Sequence, residues 1–146
     1  TVPTVEKIKQ SYQLREAVEC QSARILAVSM TEEQRNALME IANELDTVPF
    51  KDKTVIDSRN FHIKFHTLLT EFTGNPLLAD TLRKINLFWV LCKALDTNAP
   101  NTTYPRYWHR YLVDVIAKGD PDAAEEAMRR HVNDSLVAII AAEEQK

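Results

Sequence analysis

Apolar residues recur along this chain at helical rather than alternating spacing, and the interruptions are few. Ile8, Tyr12, Ala17 and Ile25 mark a first helix from about Val5 to Val28. Thr31, followed three residues later by Gln34, forms a capping box that starts a second helix ending near Leu45. Beyond Pro49, a third helix runs from about Asp52 to Thr73 and carries Phe61, Phe65, Leu68 and Phe72 as a stripe. Gly74-Asn75-Pro76 is the clearest boundary: glycine closes one helix in a left-handed conformation, asparagine caps the next, and proline suits its first turn. The fourth helix then extends to about Leu95, and the polar segment Asp96 to Thr103, with Pro100 inside it, reads as a loop. A fifth helix carries Trp108, Leu112, Val115 and Ile116 and stops at Gly119. Asp120-Pro121 repeats the cap-then-proline device and opens a last helix reaching about Ala142. Short loops favour antiparallel neighbours. The expectation is an all-α antiparallel bundle of about six helices, with residues 1–146 forming one domain.

Composition sharpens that picture by exclusion. Only two glycines occur, Gly74 and Gly119, too few for the tight turns of a many-stranded β architecture. The formal net charge is -3, and no basic run or Gly-rich phosphate loop is present, so direct nucleic-acid binding by these residues is not expected. Cys20 and Cys92 lie far apart and form no CxxC pair; free thiols in a reducing cytoplasm are the simpler reading. No apolar run approaches the length of a membrane span, and no signal-peptide pattern opens the chain.

The four histidines are the chemistry-bearing residues. His62 and His66 are four apart, so both rings project from one face of the third helix, with Cβ atoms about 6 Å apart. His109 shares a face with Leu112, Val113 and Ile116, and His131 shares one with Ala124, Ala127, Met128 and Ser135. A bundle joining these helices can gather four imidazoles around a central cavity, and neutral imidazole binds Zn, Ni, Co or Cu. Spacing alone leaves a second reading open, in which the histidines are hydrogen-bonded core residues. His62-Ile63-Lys64-Phe65-His66 lacks the glutamate of HExxH, and the positions three before each histidine hold Arg59, Ile63, Arg106 and Met128, not the glutamates of a di-iron bundle. No catalytic residue is visible.

Several motifs in order resemble one family. Phe65-His66-Thr67-Leu68-Leu69 and Gly74-Asn75-Pro76-Leu77-Leu78 resemble an "FH..L…GN..L" signature, and Arg15-Glu16-Ala17-Val18-Glu19 an "R..lE" pattern. Trp108-His109-Arg110, ending in Ile116-Ala117-Lys118-Gly119-Asp120, resembles "H…ai..GD", and Ala127 to His131 resembles "A…mr.H". These belong to the C-terminal FCD-type, effector-binding domain of FadR-like regulators in the GntR group, and the resemblance spans about Lys7 to Ile140. It implies a divalent metal, often zinc or nickel, held by one aspartate and three histidines. The histidines correspond to His66, His109 and His131, while the aspartate's place is taken by His62. Such a replacement removes a hard anionic ligand and disfavours Mn or Mg relative to Zn, Ni or Co.

The resemblance also places Arg15 near the bundle interior, where its fork can hold a carboxylate effector. An ion pair with Glu19, one turn along, is the alternative. The resemblance as a whole implies a ligand-sensing domain of a bacterial transcription regulator that binds a divalent metal and a small carboxylate. It would act in a cytoplasmic homodimer and reach operator DNA through an N-terminal winged-helix domain expected to lie outside these 146 residues. Two rival classes are a metal-dependent enzyme with an open coordination position and a metal-free structural or interaction domain.

Overall fold

The computed structural model describes residues 3–47, 55–91 and 108–144. Six helices follow in order: α1 Val5–Ser29, α2 Glu32–Thr47, α3 Val55–Glu71, α4 Pro76–Leu91, α5 Trp108–Ala117 and α6 Pro121–Glu144. No strand occurs among the described residues, and the architecture is an all-α bundle. Pro49, Asp52, Cys92 and the loop read over Asp96 to Thr103 lie outside the described residues.

From Thr31 onward the punctuation works as the sequence predicts, and a further cap opens α1. Thr4 caps α1, its Oγ1 accepting from the Lys7 N–H at 3.2 Å. Thr31 and Gln34 exchange reciprocal bonds, Gln34 N–H to Thr31 Oγ1 at 3.1 Å and Thr31 N–H to Gln34 Oε1 at 3.0 Å. Gly74 has φ +73° and Gly119 φ +85°, both left-handed. Immediately after them, Asn75 Oδ1 accepts from Leu77 N–H at 3.0 Å, and Asp120 Oδ1 accepts from the amides of Asp122 and Ala123.

α1 packs mainly along α6, α2 against α5 and α3, and α3 against α4, while α1 also reaches α3, α4 and α5. The core joins Ile8, Leu26, Leu38, Phe65, Leu69, Leu82, Leu112, Ile116 and Met128, all fully buried. Around its edge, Arg24 bonds Asp122 at 2.6 Å and Glu125 at 2.7 Å, and Arg129 bonds both Glu125 and Glu16. Each exposed pair contributes little by itself, but together they register α1 on α6. That registry sets Glu19 of α1 and His131 of α6 toward the same interior.

Gly119→Ala places a Cβ in the left-handed region and is expected to cost about 1–2 kcal/mol. Urea unfolding followed by circular dichroism measures it, and an unchanged midpoint contradicts the role given to this turn.

Candidate metal centre

The four histidines predicted as ligands converge. His62 and His66 come from α3, His109 from α5 and His131 from α6, and one ring nitrogen of each lies within 4.8 Å of the others. The closest ring centroids are His62–His66 at 4.5 Å and His109–His131 at 4.9 Å. His66 and His131 are buried, whereas His62 and His109 are partly exposed. Phe65 sets its ring edge-on to both His66 and His109 at 5.2 Å, an apolar wall behind the cluster.

Glu19 was legible only as a partner for Arg15, yet it also reaches the cluster. Its Oε1 is bonded to His66 Nδ1, and its Oε2 accepts from Arg15 Nε at 2.5 Å. Burial alone would raise this carboxyl, but the charges of Arg15 and His66 and their hydrogen bonds hold it at about 2. It is therefore an acceptor-only carboxylate at neutral pH, so His66 Nδ1 must carry the hydrogen. Burial lowers the His66 pKa to about 4 despite the opposing pull of Glu19, so the ring is neutral and its Nε2 keeps a lone pair. His62 and His131 are pushed well below 6.5, first by burial and then by neighbouring imidazoles and Arg15. One signal for Glu19 does exist in the sequence. It stands in register with Ile8, Tyr12, Arg15 and Leu26, all of them buried.

Arg15 sits beside the cluster, buried, with its guanidinium carbon 5.3 Å from the centre of the Tyr12 ring. Its Nε–H is given to Glu19, so the ion-pair alternative describes a bond that is present. Tyr12 in turn bonds Ser135 Oγ of α6 through its hydroxyl at 2.9 Å. Asp46, at the end of α2, accepts from His109 Nδ1 at 2.8 Å. Sequence reasoning missed it, because 63 residues separate the partners. A hint lay in an acidic residue standing at the C-terminal end of its own helix, where the dipole disfavours it.

The donor set fits a first-row divalent ion. His109 Nε2 is buried without a hydrogen-bond partner, as is His131 Nδ1. His131 Nε2 approaches His66 Nε2 to 3.2 Å. Nitrogens sharing one ion at about 2.0–2.1 Å stand about 3.0–3.4 Å apart, so this approach matches two ligands of a common metal. Without metal, the same approach requires His131 Nε2–H to donate to His66.

Residues 10–134 match the FCD domain family, and the chain belongs to it. Over 129 residues it is 30% identical to the HTH-type transcriptional repressor NanR of Salmonella newport, covering 83% of this chain and 46% of that protein. NanR of Salmonella typhimurium matches to the same extent. The chain thus spans about half the length of the curated relatives it matches. A solved structure of Streptococcus agalactiae GntR superposes with TM-score 0.65 at 21% identity, covering 93% of this chain and 61% of that one, a likeness of fold. Together these define an FCD domain of the kind found in GntR-family regulators.

Two consequences can be measured. The buried rings stay neutral in the folded chain, whereas an unfolded histidine protonates near 6.5. The unfolded state thus binds more protons, and metal-free stability falls as pH drops from 6.5 toward about 4. The expected slope is on the order of 1 kcal/mol per pH unit for each such ring. Urea midpoints at pH 7 and pH 5 give the answer, and equal midpoints contradict it. Separately, Arg15→Met strands the Glu19 carboxylate in the interior and is expected to cost about 3–5 kcal/mol in the same assay.

Proposed function

We propose that this domain is the effector-sensing part of a bacterial transcription regulator. It binds one divalent metal ion through His62, His66, His109 and His131, and a small carboxylate effector beside it. The single observation carrying this reading is the convergence of four ring nitrogens within 4.8 Å on three helices. A metal-free structural domain gains nothing from leaving His109 Nε2 buried and unbonded, since an unmade buried bond costs about 1–3 kcal/mol.

His66, His109 and His131 hold the ion, and His62 stands where the family pattern supplies an aspartate. Four neutral nitrogens favour zinc or nickel over manganese or magnesium. The ion supplies a Lewis-acidic positive charge on the half-buried side of the cluster, where an anion can approach. Arg15 lies near enough to lower the His62 and His131 pKa values, and its guanidinium is a resident cation for a carboxylate. The Salmonella relatives carry the name of transcriptional repressors, which favours sensing over turnover. Glu19 and Asp46 are both bonded to histidines, so neither is placed as a free general base.

Effector binding would act by favouring one of two arrangements of a homodimer, and so the spacing of N-terminal winged-helix domains on operator DNA. No helix among the described residues is long and apolar enough to cross a membrane, in keeping with a cytoplasmic regulator.

Tag-free protein supplied with zinc or nickel is expected to retain one equivalent after desalting. At 100-fold excess over the dissociation constant, the metal should add about 2.7 kcal/mol to stability. Absence of uptake sinks this reading. His62→Ala is expected to weaken zinc about 10- to 100-fold if the ring is a ligand, whereas unchanged affinity leaves the ion to the other three histidines. A thermal-shift screen of small organic acids on zinc-loaded protein tests the effector class; stabilisation by a carboxylate, lost in Arg15→Lys, is the expected pattern.

A further inference from the structure

Asp46 makes three bonds with one carboxylate, and they do two different jobs. Oδ1 accepts the ring Nδ1–H of His109 at 2.8 Å and the His109 amide at 3.4 Å, while Oδ2 accepts the Arg110 amide at 2.8 Å. His109 and Arg110 are the second and third residues of α5, whose first amides have no partner within the helix. A helix usually meets this need with the side chain of the residue just before it. Here the cap comes from the end of α2, and the same carboxylate grips the imidazole that belongs to the metal cluster. Asp46 is almost fully enclosed, with its side chain 5% exposed, so water competes little for these bonds.

We propose that Asp46 is a positioning residue for the metal centre, and that it ties metal occupancy to the α2–α5 junction. This rests on the proposed metal-binding function. An acceptor at Nδ1 keeps the hydrogen on that nitrogen and leaves the lone pair on Nε2, which is the buried and unbonded atom of His109. A carboxylate partner also makes the ring a stronger donor to a cation. Because two α5 amides hold that carboxylate in place, the acceptor facing His109 Nδ1 is fixed by the start of α5. A shift of the end of α2 therefore reaches the cluster through one side chain. Glu19 serves His66 similarly from α1, but it caps no helix; only Asp46 joins a ligand to a helix terminus among the described residues.

Long-range 1H–15N spectra of the metal-free protein at pH 8 should show His109 protonated at Nδ1; protonation at Nε2 overturns the proposal. Zinc affinity, measured by chelator competition well below each unfolding midpoint, should fall about 10- to 100-fold in Asp46→Ala. Asp46→Asn keeps an acceptor for the helix end without the charge, so it serves if the alanine variant does not fold; a loss of about tenfold is expected. Affinity equal to wild type in a folded variant reduces Asp46 to a helix cap and overturns the proposal. If wild-type protein takes up no zinc, the proposed function fails, while the His109 spectrum still decides what Asp46 does.

Discussion

Four imidazoles with ring centroids between 4.5 and 6.2 Å apart share a cluster reached by three helices. Protonating several of them at that distance would set like charges against one another in a poorly solvated space. Much of the surrounding structure answers that constraint. Burial pushes His62 and His131 well down and His66 to about 4, and Phe65 closes the cluster with an apolar ring. Neutral rings still need partners for their N–H groups. Glu19 and Asp46 supply two of these from α1 and α2, helices that carry no histidine of their own.

The two carboxylates are held in different ways. Glu19 is fully buried and remains ionised because Arg15, one turn away, faces it. Asp46 lies at the N-terminal end of α5 and accepts from two backbone amides there, where Glu19 accepts from a guanidinium. In both cases the carboxylate has a second partner besides the histidine. That arrangement leaves each ring free to act as donor to the carboxylate and as lone-pair bearer toward the cluster.

The helices were readable because their signals are local. The Thr31–Gln34 box, the glycines at 74 and 119, and the caps at Asn75 and Asp120 act over two or three residues. The inward faces of His66, His109 and His131 followed from apolar neighbours such as Leu69, Leu112 and Met128, all of which are buried. Their mutual approach was a different matter. Nothing in helical periodicity fixes which faces of α3, α5 and α6 meet, and the motif resemblance supplied that step. The partner of Asp46 was illegible for the same reason: its bond to His109 depends on α2 and α5 packing together. For Arg15, both readings were visible from the sequence, and the structure contains the bond to Glu19.

Under the proposed reading, the histidine at position 62 changes the electrostatics of the site more than its shape. With aspartate in that place, one ligand charge would offset half of the ion's own. With imidazole, the offset comes from Glu19 and Asp46, both of which stand behind their histidines and not in contact with the ion. Coulomb attraction falls with distance, so charges set one ring away neutralise the ion less completely than a bound carboxylate. The positive potential then persists on the side formed by half-buried His62 and His109, with Arg15 adding to it. A carboxylate effector arriving there would bring the negative charge that an aspartate at position 62 would otherwise supply. The proposed anion binding is therefore tied to residue 62: a carboxylate at that position would offset more of the ion's charge and leave less attraction for an effector.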